Sequence, residues 1–232
     1  MISFVIMSLK LFYLEPGKAN HNPFCSRWNR KNELPDLLTD IDLWHSFKAG
    51  DKDAFGELFK RHYSPLFQYG AKLCQDRTIV EDCIQELFID LWQNKPATDV
   101  RSVKAYLLTS VKYKLFKFHR ANPASKSSAE IQDNAGFELG HDSFLIGRED
   151  EQKKAQNILA ALNRLPARQK EIVYLRIYQA LDYEEISEVM GINYQVARNL
   201  FSQSIRSLRK FLPSVWNGVA LQKSYYRHLI SG

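Results

Sequence analysis

Between Ile79 and Trp92, apolar side chains return at intervals that only an α-helix brings to one face. Ile79, Cys83, Ile84, Leu87, Phe88, Leu91 and Trp92 fall at i, i+4, i+5, i+8, i+9, i+12 and i+13. A stripe of that kind must be buried against other elements. The remaining faces carry Glu81, Asp82, Gln85, Glu86 and Asp90, and Asn94-Lys95-Pro96 stops the helix.

The same period recurs along the chain. Asp40 or Asp42 can cap a short helix carrying Leu43, Trp44 and Phe47, which Lys48-Ala49-Gly50-Asp51 interrupts. Ala54, Phe55, Leu58, Phe59, Tyr63, Leu66, Phe67, Gly70 and Ala71 mark a second helix. Ser102 can cap another, with Val103, Tyr106, Leu107, Ser110, Val111, Lys114 and Leu115 on a mostly apolar face. Lys104, Lys112, Tyr113, Lys117, His119 and Arg120 lie elsewhere on it. A helix from about Glu149 to Leu165 turns Ile158, Leu159, Leu162 and Leu165 inward. Pro166 starts the next, in which Ile172, Val173, Leu175 and Ile177 are expected to be buried. No segment alternates with period two. The fold class is therefore all-α, in two small helical domains joined by an irregular linker.

The expected boundaries are an N-terminal extension over 1–36, poorly ordered or preceding the true start, then a bundle over 37–121. An acidic linker spans 122–150, with a short helix entering at Ser143. A second helical module spans 151–213, and a basic tail spans 214–232. The first 14 residues are apolar but lack the basic start and cleavage site of a signal peptide, and a start at Met7 or later is at least as good a reading.

Charge follows the same division. Residues 43–121 hold thirteen basic and nine acidic side chains, residues 122–150 two and six, and residues 151–232 twelve and six. Two stretches, Val100–Ala129 and Val189–Gly232, contain no Asp or Glu. Two basic modules around an acidic connection suit a two-point grip on a polyanion, although a basic run can equally be a solvated helix face. Cys25, Cys74 and Cys83 have no C-x-x-C spacing, which points away from a disulfide scaffold and toward a reducing, cytoplasmic setting.

From Tyr183 the chain reads YEEISEVMGINYQVARNLFSQSIRSLRKFL. Gly191 suits the tight turn of a helix-turn-helix, Ser187 is small enough for the close crossing, and Asn193 can cap the second helix. Ala197 and Phe201 would face inward. Tyr194, Gln195, Arg198, Asn199, Ser202 and Arg206 would face outward, and these types reach phosphates and base edges in a major groove. The second helix has no carboxylate for DNA phosphates to repel.

These features together resemble a sigma factor of bacterial RNA polymerase: the sigma-70 family, and within it the compact extracytoplasmic-function group that keeps regions 2 and 4. DRTIVEDCIQELFIDLWQN (76–94) is similar to the acidic amphipathic helix of region 2. LNRLPARQKEIVYLRIYQALDYEEISEVMGINYQVARNLFSQSIRSLRKFL (162–212) is similar to region 4 almost throughout. The resemblance covers about 40–121 and 150–212. It implies that Asp82, Gln85 and Glu86 contact the clamp coiled coil of core RNA polymerase, with Phe88 and Trp92 in the core behind them, and that the flap is a second polymerase contact.

For promoter DNA the resemblance assigns the −10 element to Asn94, Lys95, Arg101, Lys104, Tyr106, Lys112, Tyr113, Lys117 and Arg120. Cations would hold phosphates, and rings would receive unstacked bases. Tyr106 falls on the apolar face and is equally a core residue. For the −35 element, Gln195, Arg198 and Asn199 would reach base edges, and Arg176, Tyr194 and Arg206 phosphates. Many family members have Val at the Ala197 position and Lys-Ser-Arg after it. Arg198-Asn199-Leu200 departs from that, so no −35 sequence can be borrowed. The family also implies a linker near the template channel or RNA exit path, and an anti-sigma protein, often membrane-anchored. The recognition helix looks like the version common in Bacteroidetes, whose regulons include nutrient and surface-polysaccharide genes.

Catalytic chemistry is not expected. His21, His45, His62, His119, His141 and His228 form no H-E-x-x-H pair, and there is no phosphate loop or nucleophile elbow. No cofactor, metal or small-molecule substrate is implied. The competing readings are a stand-alone helix-turn-helix regulator with a sensing or dimerising N-terminal domain, and an all-α enzyme.

Overall fold

A computed structural model describes residues 38–96, 99–122, 137 and 157–211. The helices are α1 Asp40–Lys48, α2 Lys52–Leu73, α3 Arg77–Gln93 and α4 Val103–Ala121, then α5 over 157–163, α6 Ala167–Ile177, α7 Tyr183–Met190 and α8 Tyr194–Phe211. The described residues are otherwise turns and connections. The extension over 1–36, nearly all of the linker, the short helix expected at Ser143, the start of the helix at Glu149 and the tail lie outside the described residues.

Short polar residues set where these helices begin. Asp51 accepts from the amides of Asp53 and Ala54, Asp76 from those of Thr78 and Ile79, and Ser102 from that of Ala105. Asp182 and Glu185 form a reciprocal capping box on α7. Asn193 Oδ1 accepts the Val196 amide at 2.8 Å, which starts α8. Between α7 and α8, Gly191 sits at φ 62°, ψ 40°, a left-handed conformation that a side chain would strain.

The first bundle is built on rings. Trp44 and Phe47 from α1, Phe55 and Phe59 from α2, Phe88 and Trp92 from α3, and Tyr106 from α4 form a chain of edge and tilted contacts. Helices α2 and α3 cross at Gly70, where a Cβ would lie 2.5 Å from Val80 Cγ1. Val80 is fully buried, and Ile79 beside it is only half-buried, so the α3 stripe is turned one residue from its expected edge.

The second module packs α6, α7 and α8 together around Ile172, Leu175, Ile186, Ala197, Phe201 and Leu208. Ile177, expected inside, is 53% exposed. It is the last residue of α6; Leu175 is buried as expected, and Tyr174 is buried beside it.

The two modules also pack on each other, with α7 against α4, and the helices from Asp40 onward belong to one compact unit. Two expectations for α4 are corrected. Lys112 is buried because Glu171 of the second module covers a face that a lone helix would give to solvent, and His119 is buried as well.

His62 of α2 is buried, with Nε2 3.0 Å from Asp40 Oδ2. Burial lowers its pKa below the ordinary 6.5, outweighing the pull of Asp40, and Lys104 and Arg61 act in the same direction as burial. The stability carried by the neutral ring is fully present above about pH 6.5 and is lost as pH falls through the lowered folded value. Thermal melts from pH 7 to pH 5 should therefore show a falling midpoint, and His62→Leu should flatten that fall.

Candidate nucleic-acid interface

Helix α8 divides cleanly. Ala197, Phe201, Ser204 and Leu208 are buried, and Tyr194, Gln195, Arg198, Asn199, Ser202 and Arg206 are exposed. Gln195 Nε2 donates to Asn199 Oδ1 at 3.1 Å, which fixes both amides on one surface. The Arg198 guanidinium lies 5.8 Å from the Tyr194 ring centroid, and Tyr194 meets Tyr183 edge-on at 5.9 Å. The arrangement leaves donors and acceptors on a stiff helix with no anion among them.

Arg176 is half-buried in the last turn of α6. Its Nη1 donates to the Leu181 carbonyl at 2.8 Å, and its guanidinium lies over the Tyr183 ring at 4.8 Å. It ties the α6–α7 connection together, and a phosphate contact would compete with that bond.

The α4 surface has two faces. Tyr106, Tyr113, Lys117 and Arg120 fall at i, i+7, i+11 and i+14, a single helical stripe. Tyr113 is 68% exposed, and Lys117 and Arg120 are exposed. Tyr106 is half-buried, its ring 5.3 Å from Trp44 in an edge contact, so it belongs partly to the core. Asn94 and Lys95 are exposed at the end of α3; the Lys95 ammonium lies 5.5 Å from the Trp92 ring and donates to the Lys48 carbonyl. Asp99, in the following loop, is anchored to Lys48 at 2.7 Å.

The opposite face of α4 holds Lys104 and Lys112, with Arg101 just before the helix, and each of the three has a partner in the second module. Arg101 pairs with Asp182 at 3.1 Å and with Glu184. Lys104 Nζ donates to the Gln179 carbonyl at 2.5 Å, and burial lowers its pKa, against the opposing pull of Glu185 and Asp40. Lys112, 8% exposed, lies 2.7 Å from Glu171 Oε1. The same oxygen accepts the Tyr69 hydroxyl at 2.6 Å. Burial, and then the Glu171 charge, raise the Tyr69 pKa well above its ordinary 10. Expected to hold phosphates, these three cations are satisfied by the second module.

On α3, Asp82 and Glu86 are exposed and Gln85 is half-buried, with Phe88 buried beneath them and Trp92 half-buried. Glu86 lies 3.6 Å from Lys114, which also pairs with Asp90 at 2.6 Å. An acidic outer edge over an aromatic core is suited to a basic partner surface.

Sequence reasoning missed Glu171, Gln179, Tyr69, Asp182 and Glu184 as residues joining the modules. Glu171 did leave a signal, since it shares the α6 stripe with Tyr174 and Leu175 at i+3 and i+4. A carboxylate in that position needs a buried partner.

Two family models match the chain: "Sigma-70 region 2" over residues 58–123 and "Sigma-70, region 4" over residues 155–208. Together they cover more than half of its length. The chain is 24% identical over 184 residues to "ECF RNA polymerase sigma factor SigK" of Mycobacterium sp. (strain JLS), covering 77% of this chain and 94% of that one. It is 26% identical over 183 residues to "ECF RNA polymerase sigma factor BldN" of Streptomyces coelicolor, covering 77% and 67%. It is 23% identical over 158 residues to "RNA polymerase sigma factor SigZ" of Bacillus subtilis, covering 67% and 85%. In fold it is similar to CnrH, solved in complex with the cytosolic domain of CnrY, with a TM-score of 0.50 at 18% identity, covering 75% of this chain and 97% of that one.

Proposed function

The chain belongs to the sigma-70 family, and we propose that it is an alternative sigma factor of the extracytoplasmic-function group. It binds core RNA polymerase, recognises −35 and −10 promoter elements and promotes DNA opening. The observation that carries this is the ordered pair of modules: region 2 with an acidic outer helix, then region 4 with an exposed, acid-free recognition helix. The chemistry of transcription belongs to the polymerase, and this chain supplies binding and placement. No described helix is long and apolar enough to cross a membrane, and the cytoplasm, where promoter DNA and polymerase are, is the proposed location.

The deciding experiment is transcription from purified components. Core polymerase plus this protein should initiate at a cognate promoter at which core alone is silent. A protein that binds DNA tightly alone and never associates with core polymerase would be the stand-alone regulator instead.

The residue roles follow the surfaces. Gln195, Arg198 and Asn199 read −35 base edges, and Tyr194 and Arg206 position the helix on phosphates. Arg198→Ala should relax or shift −35 preference at a cost of about 1–3 kcal/mol, read from initiation across a promoter library. An unchanged preference removes Arg198 from the recognition set. Asp82, Gln85 and Glu86 face the clamp, and a flap contact from region 4 completes the polymerase interface. Asp82→Lys should weaken assembly with core polymerase while leaving the melting curve of the free protein in place, because Asp82 is exposed.

Asn94, Lys95, Tyr113, Lys117 and Arg120 are the proposed −10 contacts, and their exposure supports that reading. An anti-sigma protein is the proposed partner that restrains the factor, and a membrane-anchored one would link it to an outside signal. The Asn193-Tyr194-Gln195 recognition sequence supports a Bacteroidetes-like promoter class, to be tested against promoters of that group.

A further inference from the structure

The outward side chains of α8 are not placed by α8 alone. Arg198 lies one turn beyond Tyr194, and its guanidinium carbon is 5.8 Å from the Tyr194 ring centroid. No carboxylate pairs with Arg198 among the described residues, so the ring is the contact that places its charge. Tyr194 is 40% exposed, and its ring is met edge-on by that of Tyr183, at 5.9 Å and an interplanar angle of 79°. Tyr183, the first residue of α7, is 7% exposed and firmly held. The Asp182–Glu185 capping box sets the turn in which it lies, and Ser187 Oγ donates to its carbonyl at 2.6 Å. Its ring packs against Phe201 of α8 at 6.1 Å and carries the Arg176 guanidinium at 4.8 Å on its face.

The result is an alternating run, Arg176, Tyr183, Tyr194 and Arg198, that passes from α6 through α7 to the recognition helix. Its inner end is tied down by the Arg176 bond to the Leu181 carbonyl, and its outer end is the exposed Arg198. Beside it, Gln195 and Asn199 hold each other by their own hydrogen bond. Arginine has a long stem, and ordering such a side chain at an interface costs free energy. A ring that sets the guanidinium beforehand removes part of that cost. It also sharpens discrimination. A loose arginine facing the wrong base can swing to a neighbouring phosphate and lose little, whereas a held one is left unpaired against the base edge.

We propose that Tyr183 is a positioning residue for −35 recognition: through the Tyr194 ring it sets the Arg198 guanidinium, and so it determines specificity at the base pair that Arg198 reads. This rests on the reading of Arg198 given above and adds to it a residue that does not touch DNA. The Tyr194 hydroxyl assigned to a phosphate is compatible with it, since ring and hydroxyl are separate parts of one side chain. Loss of a phosphate contact weakens all sequences alike. Loss of positioning acts at one base pair.

The test is initiation by the full-length protein with core polymerase across a library of −35 elements, which reads preference at each position separately from overall strength. Arg198→Ala identifies the base pair that Arg198 reads. Tyr183→Leu keeps an apolar side chain in the buried site and removes the ring. It should flatten preference at that same base pair about two- to fivefold and leave preference at the other positions in place. Tyr183→Phe keeps the ring and should restore it. In the Arg198→Ala background Tyr183→Leu should change preference no further, and equal effects in both backgrounds overturn the proposal. If Tyr183→Leu does not fold, Tyr194→Leu, at an exposed position, carries the test. Selective flattening at the Arg198 base pair supports the proposal, and uniform weakening alone overturns it. If Arg198→Ala leaves every preference unchanged, Arg198 is not a reader and the proposal falls with that assignment. Failure of the wild-type protein to initiate with core polymerase overturns the sigma-factor reading itself, a separate result.

Discussion

Phe47→Ala is expected to lower unfolding stability by about 3–5 kcal/mol, measured by urea titration with far-ultraviolet circular dichroism. Phe47 is 0% exposed, and its ring touches Trp44, Phe55 and Trp92, which come from α1, α2 and α3. Truncation removes the apolar surface and leaves a cavity that three helices cannot close together. With a whole-domain stability of about 5–15 kcal/mol, that loss is a large fraction of the total. The effect should extend to function before the chain unfolds. The neighbours of Phe47 include Trp92, which carries the Lys95 ammonium over its ring, and Trp44, which supports Tyr106. Phe118→Ala is the control, since Phe118 is partly exposed and its loss should cost far less. Equal losses at both positions would mean that the ring cluster is not what holds the first bundle.

Much of this architecture was legible because local chemistry decides it. Gly191 adopts the left-handed turn that only its missing side chain makes easy, Asn193 caps α8, and Ala197 and Phe201 point inward as the helix period requires. Asp82 and Glu86 are exposed because they lie on the outer edge of a stripe readable over four turns. Lys112 was misplaced for a physical reason. Polarity puts a lysine outside unless a partner lies opposite, and that partner, Glu171, is 59 residues away in another module. No period within α4 carries that information. The Arg176 contact was hidden in the same way, since its carbonyl partner at Leu181 exists only once the α6–α7 connection has folded back. Ile177 failed because a stripe does not announce which of its last residues the core will still reach.

Replacing Tyr113, Lys117 and Arg120 together by alanine is expected to abolish most promoter opening while leaving the fold in place. All three side chains are exposed on one stripe of α4, and none contributes to the buried core. A base stacked on the Tyr113 ring would contribute about 1–3 kcal/mol. Two cations on single-strand phosphates would contribute about 1.4 to the slope of log affinity against log salt. The triple variant should therefore lose roughly hundredfold or more in open-complex occupancy at low salt. The gap from wild type should narrow as salt rises, because the wild type loses affinity faster. Permanganate footprinting of the −10 region reports the opening, and salt titration of fork-DNA binding reports the slope. The separation of terms is the informative part. Tyr113→Ala alone should reduce opening without changing the salt slope, and Lys117→Ala with Arg120→Ala should flatten the slope. Opening at wild-type levels in the triple variant would move the −10 surface away from this stripe, and the cations still held by Glu171, Asp182 and Glu184 would then be left as its main component.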